Sequence, residues 1–204
     1  MKILHIDSSI LGDYSGSRQL SAATVAALRA QHADATVTYR DVGANPPDHV
    51  SGGLAMAMNS ADRSGLDAGL RAAAEEADAM LEEVLAADAI VIGAPMYNFG
   101  VPTQLKAWYD RVTRAGRTFR YTATGPEGLA GGRKLYILSS RGGAYAGQPF
   151  EVAVDHQEAW LKAVFNFIGI TDITVIRAEG ANMGDEARDA GRANALAEIA
   201  RLVK

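Results

Sequence analysis

Aromatic and amide side chains are concentrated in the stretch 93–106, between two regular segments, and together they could hold a flat ligand. The loop Pro95-Met96-Tyr97-Asn98-Phe99 follows an apolar run at 89–92 that is typical of a buried strand. A helix follows the loop, because Leu105, Trp108, Tyr109 and Val112 recur at helical spacing. Ligands of open α/β sheets bind at the carboxyl ends of strands. The loop therefore predicts a site for a heteroaromatic ring such as a flavin. The alternative is that its aromatic side chains are core residues and that Asn98 forms a turn.

Hydroxyl groups cluster before the first helical segment. Ser9 follows the first apolar run, and Ser15-Gly16-Ser17 leads into the helix. The free N–H groups of a helix N-terminus, serine hydroxyls and a flexible glycine together form an anion site. The loop has no lysine and no Gly-x-x-x-x-Gly-Lys-Ser/Thr motif, which favours a single phosphate over a nucleoside triphosphate. An alternative interpretation makes Ser17 a helix N-cap and Ser15 a turn residue.

Adjacent glycines stand in a third loop, at 139–145, after the apolar run at 135–138. Gly142 and Gly143 let the backbone approach a ligand closely and expose its N–H groups. Donors aimed at the pyrimidine edge of a flavin would stabilise the negative charge of the reduced ring, as oxyanion-hole donors do for other anions. A flexible turn with a surface arginine, Arg141, is the alternative interpretation.

Strands and helices alternate along the chain, and these elements must position the three loops. Periodicity predicts strands at 3–6, 36–40, 89–93, 135–138 and 173–176, and helices at 17–32, 66–84, 102–114, 158–168 and 185–203. The stretch 45–65 predicts a mobile loop with a short helix, and 119–128 predicts an extended excursion or hairpin. Five strands, each followed by a helix, predict an α/β fold with helices on both faces of a parallel sheet.

The strand connections narrow the fold further. Right-handed crossovers make the sheet doubly wound. No Gly-x-Gly-x-x-Gly motif follows the first strand, which favours a flavodoxin-like order, 2-1-3-4-5, over a dinucleotide-binding one. No internal boundary or repeat is visible, so a single domain over 1–204 is expected. In that order, the loops after strands one, three and four meet at one edge of the sheet.

Composition narrows the classes of function. The 204 residues carry a formal net charge of -4 and no cysteine, which excludes disulfides, thiolate nucleophiles and cysteine-ligated metals. No basic stripe and no sufficiently long apolar run is present, so we expect neither a nucleic-acid partner nor a membrane span. We also expect no bound metal. The start of the chain lacks signal-peptide architecture, and a cytoplasmic location is therefore expected.

Several motifs together resemble one family, the FMN-dependent NADH-azoreductases, also described as FMN-dependent NADH:quinone oxidoreductases. The most specific are the Met96-Tyr97-Asn98-Phe99 loop and the Phe119-Arg120-Tyr121 segment. Further matches include Ser15-Gly16-Ser17, Gly125-Pro126-Glu127-Gly128-Leu129, Ser140-Arg141-Gly142-Gly143 and Phe167-Ile168-Gly169-Ile170-Thr171. The resemblance runs from Ser8 to Thr171, with Ala178-Glu179-Gly180 beyond, and covers essentially the whole chain.

The resemblance implies one FMN per subunit, NADH as electron donor, and a homodimer with its sites at the interface. It implies that the phosphate is bound by Ser9, Ser15, Gly16 and Ser17. The isoalloxazine would lie against Pro95, Met96, Tyr97, Asn98 and Phe99, and its polar edge against Ser140, Arg141, Gly142 and Gly143. The substrate would contact an apolar wall of Phe119, Tyr121 and Phe167, with Tyr145 beside it.

We therefore expect an oxidoreductase that transfers two electrons from NADH to quinones and to azo compounds, cleaving aromatic azo bonds reductively. In the expected ping-pong sequence, NADH gives hydride to flavin N5 and leaves before the acceptor takes the same place. No catalytic side chain is required, because the flavin carries the chemistry.

Other functions stay open at this point. A nitroreductase-like or general flavin reductase lies within the same class. An FMN electron carrier would share the cofactor site, but the segment at 119–121 argues against it because a carrier lacks a substrate wall. A phosphate-ester hydrolase could use the serine loop and Asp7, although the Asp-x-Asp spacing of aspartate phosphatases is absent.

Overall fold

A parallel five-stranded sheet forms the centre of the computed structural model, which describes residues 1–202. The strands of the chain are β1 (Lys2–Asp7), β2 (Thr36–Asp41), β3 (Ala89–Pro95), β4 (Phe119–Thr122), β5 (Gly125–Gly128), β6 (Lys134–Ser140) and β7 (Asp172–Ala178). The sheet order is β2-β1-β3-β6-β7. Counted within the sheet, this is the predicted order 2-1-3-4-5, so the flavodoxin-like prediction is confirmed.

Helices connect the strands, and most of them match the sequence periodicity. They are α1 (Gly16–Gln31), α2 (Gly52–Asn59), α3 (Ala68–Ala86), α4 (Thr103–Val112), α5 (Glu151–Val154), α6 (His156–Phe167) and α7 (Asp185–Ile199). The start of α3 is displaced from the predicted one because the Asp67 side chain accepts from the Leu70 N–H and caps the helix. The predicted last residue of the closing helix, Val203, lies outside the described residues.

Alternate side chains of the strands face two separate helical layers. Leu4 and Ile6 of β1 lie in a core cluster with α3, α4 and α6, whereas Ile3 lies in the opposite cluster with α1 and α7. Strand β3 is buried along its whole length and contributes to both clusters. This two-sided burial explains the uninterrupted apolar run at 89–92.

Strands β4 and β5 form an antiparallel hairpin outside the main sheet, as the sequence predicts. Its base packs on the segment after α6 through two glycines. A Cβ at Gly128 would lie 2.1 Å from the backbone nitrogen of Gly169, so only glycine permits this approach.

The weakly patterned stretch 45–65 contains the short helix α2, as expected. The Ser51 hydroxyl caps it by accepting from the Leu54 N–H, and Leu54 packs against Ala74 and Ala77 of α3. No helix among residues 1–202 combines the length and the apolar character that crossing a membrane requires.

Candidate active site

A cleft of about 510 Å³ opens at the carboxyl edge of the sheet, where β1, β3, β6 and β7 end. Its size suits a small-molecule ligand. The predicted residues that border it are Ser9, Ser15, Gly16, Pro95, Met96, Tyr97, Ser140, Arg141 and Gly142. Three loops that are far apart in sequence therefore meet where the sheet order requires.

The serine loop presents hydroxyls and a helix N-terminus to this cleft. Ser15 caps α1, since its hydroxyl accepts from the Arg18 N–H at 3.2 Å and lies 3.1 Å from the Ser17 hydroxyl. The interpretation of Ser17 as the cap is therefore wrong. Gly16 has only the Ser140 Cβ nearby, 3.6 Å from where its own Cβ would lie. First-turn N–H groups have no partner within a helix, so this end of α1 suits an anion.

The aromatic loop is a tight two-residue turn. Tyr97 and Gly100 exchange two backbone hydrogen bonds of 3.0 Å, and between them Asn98 and Phe99 have positive φ angles of 49° and 68°. This is the geometry of a type I′ turn, which asparagine tolerates and phenylalanine rarely adopts. The Tyr97 hydroxyl lies 3.1 Å from that of Ser9, which joins the aromatic loop to the serine loop.

The glycine loop lies close to the aromatic loop and to the segment that follows β7. The Ser140 carbonyl accepts from the Met96 N–H at 2.8 Å. A Cβ at Gly142 would lie 2.5 Å from the Asn182 amide nitrogen, and one at Gly143 2.9 Å from the Tyr145 ring, so a larger residue at either position would displace the neighbouring side chain. No acceptor within residues 1–202 is hydrogen-bonded to the N–H group of either glycine, and both donors remain available to a ligand.

The Arg141 side chain pairs with acidic side chains of the protein. Its guanidinium is fully buried and pairs with Asp155 at 2.7 Å, with Glu158, and with Glu179 at 3.5 Å. Burial opposes ionisation of Asp155, but the Glu158 N–H and the Arg141 guanidinium lower the pKa of Asp155 below its usual range. The side chain therefore faces carboxylates of the protein, and only the rest of Arg141 borders the cleft.

The predicted substrate residues fall into two groups. Phe119 contacts Phe167 and Tyr121, with ring centroids 4.7 and 5.6 Å apart, and Tyr121 is 75% exposed. None of these three borders the cleft of its own chain. Tyr145 is placed differently, because its ring meets that of Phe99 edge to face at 6.2 Å, at the end of the aromatic loop.

A fourth loop of the edge, between β7 and α7, borders the cleft although no sequence motif predicted it. It supplies Glu179 and Asn182, and α7 adds Arg188, Asp189 and Arg192 to the cleft. Ligands of open α/β sheets bind at the carboxyl ends of strands, and β7 is parallel to β6 and ends at the same edge. The position of this loop could therefore have been predicted. The segment Ala178-Glu179-Gly180 belongs to the resemblance, but sequence analysis assigned it no role.

The carboxylate of Asp7 does not face the cleft. It accepts hydrogen bonds from Ser21 at 2.6 Å and Tyr39 at 3.0 Å, and it fills the space above Gly93, where a Cβ would be 2.4 Å away. Burial and the neighbouring Asp7 raise the pKa of the Tyr39 hydroxyl well above its usual value, so Tyr39 remains a donor. This burial argues against a hydrolase that uses Asp7 as nucleophile.

The residues of the cleft fit a monophosphate joined to a flat ring. Hydroxyls and N–H groups surround the helix start, Met96 and Tyr97 of the aromatic loop border the same cleft, and so does Gly142 with its free N–H group. The other predicted cofactor residues, Ser17, Asn98, Phe99 and Gly143, do not border the cleft. The side-chain cations that border the cleft outside the buried Arg141 are on α7. This donor set matches FMN better than a nucleoside triphosphate.

The chain is similar to known proteins over its whole length. The family model described as Flavodoxin-like fold matches residues 1–203. An FMN-dependent NADH:quinone oxidoreductase of Azospirillum brasilense is 56% identical over 99% of this chain and 97% of its own. One of Rhizobium meliloti (strain 1021) is 54% identical over 98% and 96%.

Solved structures agree with these relatives. An azoreductase from Bacillus anthracis str. Sterne superposes with a TM-score of 0.88 at 27% identity, covering 100% of this chain and 98% of that one. An FMN-dependent NADH-azoreductase from Bacillus anthracis str. Ames Ancestor, solved in complex with FMN, gives 0.87 at 25% identity over 100% and 99%. Identity above one half across nearly the full length of two relatives places this chain in the family of FMN-dependent NADH:quinone oxidoreductases.

Proposed function

We propose that this enzyme uses FMN to transfer two electrons from NADH to quinones and to aromatic azo compounds. The observation that carries the proposal is the meeting of the serine loop, the aromatic turn and the glycine loop around one cleft. Bound FMN supplies the redox chemistry, taking a hydride from NADH and passing two electrons to the acceptor. One NADH and one proton convert a quinone to a hydroquinone, and two of each cleave an azo bond into two amines.

The chain's own groups bind and orient the cofactor. The N–H groups at the start of α1, with Ser9, Ser15 and Ser17, would hold the phosphate. The loop at 95–99 would support the ring, and the free N–H groups of Gly142 and Gly143 would donate to its polar edge. The same donors would stabilise negative charge that arrives with the electrons.

A homodimer is part of the proposal. Phe119, Tyr121 and Phe167 form an aromatic cluster that is partly exposed and lies outside the cleft of its own chain. A second copy could place this cluster over the cleft and so complete the substrate site. We further propose that the chain is a single FMN-binding domain in the cytoplasm, and cell fractionation would test the location.

Turnover by the FMN-loaded protein tests the activity. NADH oxidation with benzoquinone should far exceed that with free FMN, and parallel lines in double-reciprocal plots would support the proposed ping-pong order. A protein that binds FMN but gives no turnover above free FMN would instead be an electron carrier. A protein that binds no FMN would overturn the proposal.

A further inference from the structure

The buried guanidinium of Arg141 joins the glycine loop to the aromatic turn through three chains of contacts. Its nitrogen atoms face Ser139, Asp155, Glu158 and Glu179, and of these four residues Glu179 alone borders the cleft. Asp155 is the carboxylate that depends most on this cation, since it would otherwise lie buried without a counter-charge, whereas Glu158 also pairs with Arg177.

One chain of contacts leads to the aromatic turn. Asp155 pairs with Arg141 and also caps α6 by accepting from the Glu158 N–H at 3.0 Å. The next residue, His156, donates its N–H to the Phe99 carbonyl at 3.1 Å. Phe99 is strained by its positive φ, and such a residue keeps its conformation only where its surroundings hold it. The Arg141–Asp155 pair thus secures the helix end on which the turn depends.

A parallel chain reaches the strand before that turn. The Arg141 Nε donates to the Ser139 hydroxyl at 3.1 Å, which donates to the Gln157 amide oxygen at 2.9 Å. The Gln157 amide nitrogen donates to the Ala94 carbonyl at 2.6 Å. Every side chain in this series is fully buried, so its hydrogen bonds are shielded from water.

The third chain of contacts leads to the glycine loop. The Glu179 carboxylate accepts from the N–H groups of Tyr145 at 3.0 Å and Ala146 at 3.1 Å, besides its pairing with Arg141. This holds the Tyr145 ring against Gly143 and, edge to face, against Phe99. The glycine loop and the aromatic turn are therefore joined twice. The Tyr145 and Phe99 rings meet directly, and Arg141 links the two segments through its buried partners.

We propose that Arg141 is a positioning residue that holds the glycine loop and the aromatic turn in the arrangement that binds FMN, without itself donating to FMN. This inference rests on the proposed function for its ligand. It assigns the Arg141 side chain a structural role, while the rest of the residue stays among those expected at the polar edge of the ring.

Three variants test the role of Arg141. Arg141→Gln removes the charge and the fork of donors. Arg141→Lys keeps the charge and restores part of the contacts. Arg177→Gln is the matched control, because the Arg177 side chain pairs with Glu158 of the same cluster at 2.6 Å and, within residues 1–202, hydrogen-bonds to neither loop. Arg177→Gln therefore removes one positive charge from the cluster, as Arg141→Gln does, but leaves the contacts to the two loops in place.

Three readouts are measured on each variant: the FMN dissociation constant by fluorescence titration, the two-electron potential of bound FMN, and hydrogen exchange at 97–100 and 142–147. Arg141→Gln should weaken FMN binding by roughly ten-fold or more, because the competent loop arrangement is less populated. Exchange should rise in both segments together, and the potential should become more negative because nearby carboxylates lose their counter-charge. Arg141→Lys should recover part of each change, whereas Arg177→Gln should leave loop exchange and FMN affinity near wild type.

The inference is overturned if Arg141→Gln leaves exchange in either segment unchanged, or if Arg177→Gln matches its effects. If Arg141→Gln fails to fold, Glu179→Gln replaces it, since this variant weakens the contacts to Tyr145 and Ala146 and should raise exchange at 142–147 alone. Failure of the proposed function is separate. A wild-type protein without FMN binding or turnover would refute that function, and hydrogen exchange would still decide whether Arg141 holds the two segments.

Discussion

The aromatic turn contains the most unusual backbone of the site. Asn98 and Phe99 are the non-glycine residues with positive φ among residues 1–202. The left-handed region costs most residues about 1–2 kcal/mol, and asparagine less because its side chain bonds locally. A glycine at the second position of a type I′ turn would avoid that cost, yet this chain has Phe99 there, with 45% of the residue exposed. We infer that the aromatic surface is retained for the ligand.

Substitution of Asn98 separates its backbone role from its amide role. Asn98→Ala should lower the free energy of unfolding by about 1 kcal/mol, because alanine tolerates a φ of 49° poorly, and it should weaken FMN retention. Asn98→Gly is the matched control, since it accepts the conformation and lacks the amide. Urea unfolding and FMN titration measure the two effects. If FMN affinity is unchanged in both variants, the Asn98 amide has no part in binding.

At the scale of elements, three charged side chains fasten α2 to α3. The Asp78 carboxylate of α3 pairs with Arg63 and with Arg114. The same arginines donate to the carbonyls of Ala57 and Met58 in the last turn of α2. Cations at a helix C-terminus stabilise it by satisfying its free carbonyls. This explains how a helix of eight residues with weak sequence patterning stays in place.

This cluster should make the stability of the α2–α3 pair sensitive to acid. Hydrogen bonds from Arg63 hold the pKa of Asp78 below its usual value, with Arg114 acting in the same direction. A depressed pKa gives stability that is present above the unfolded pKa of about 3.9 and is lost as the pH falls through the folded pKa. Asp78→Asn should therefore be less stable than wild type at about pH 7, and the difference should shrink as the pH falls below about 3.9 and through the lowered folded pKa. Urea unfolding across that range measures it, and a difference that is constant with pH would contradict the assignment.

The hairpin depends on one backbone contact between glycines. Gly128→Ala would push its Cβ into the backbone at Ile168 and Gly169, which cannot turn aside as a side chain can. We expect a loss of about 1–3 kcal/mol in unfolding free energy, typical of overpacking, and slower quinone turnover, because Phe119 of β4 pairs directly with Gly128 of β5. Gly52→Ala, with nothing within 4 Å, is the control and should not destabilise the protein. Equal stability of the two variants would show that the hairpin adjusts freely.

Sequence patterns predicted the elements whose burial is set by local periodicity. Two such patterns stand out because their side chains are buried in the core: the run at 89–92, and the helix face that contains Leu105 and Trp108. The surroundings of Arg141 could not be predicted, since its carboxylates come from α6 and from the end of β7 and meet it only in the folded chain. A basic residue beside two glycines looks like a ligand contact until those partners are placed.

At the scale of the whole molecule, the sheet order assembles the cleft, but the aromatic cluster stays apart from it. Tyr121 is exposed on the hairpin, although the resemblance places it over the ring. In a homodimer with the cluster of one subunit over the cleft of the other, each complete site takes parts from two chains. A monomeric site would have to be complete without Phe119, Tyr121 and Phe167.

Mixing two inactive variants distinguishes these arrangements. Gly16→Asp puts a carboxylate where the phosphate would bind, while an acidic residue in the first turn of α1 is compatible with the helix. Tyr121→Arg should spare FMN binding but spoil the aromatic cluster. If sites are shared, half of the randomly exchanged dimers are mixed and each carries one intact site, so the mixture should recover about a quarter of wild-type turnover. Each variant alone is the control, and no recovery despite verified subunit exchange would mean that every site is built from one chain.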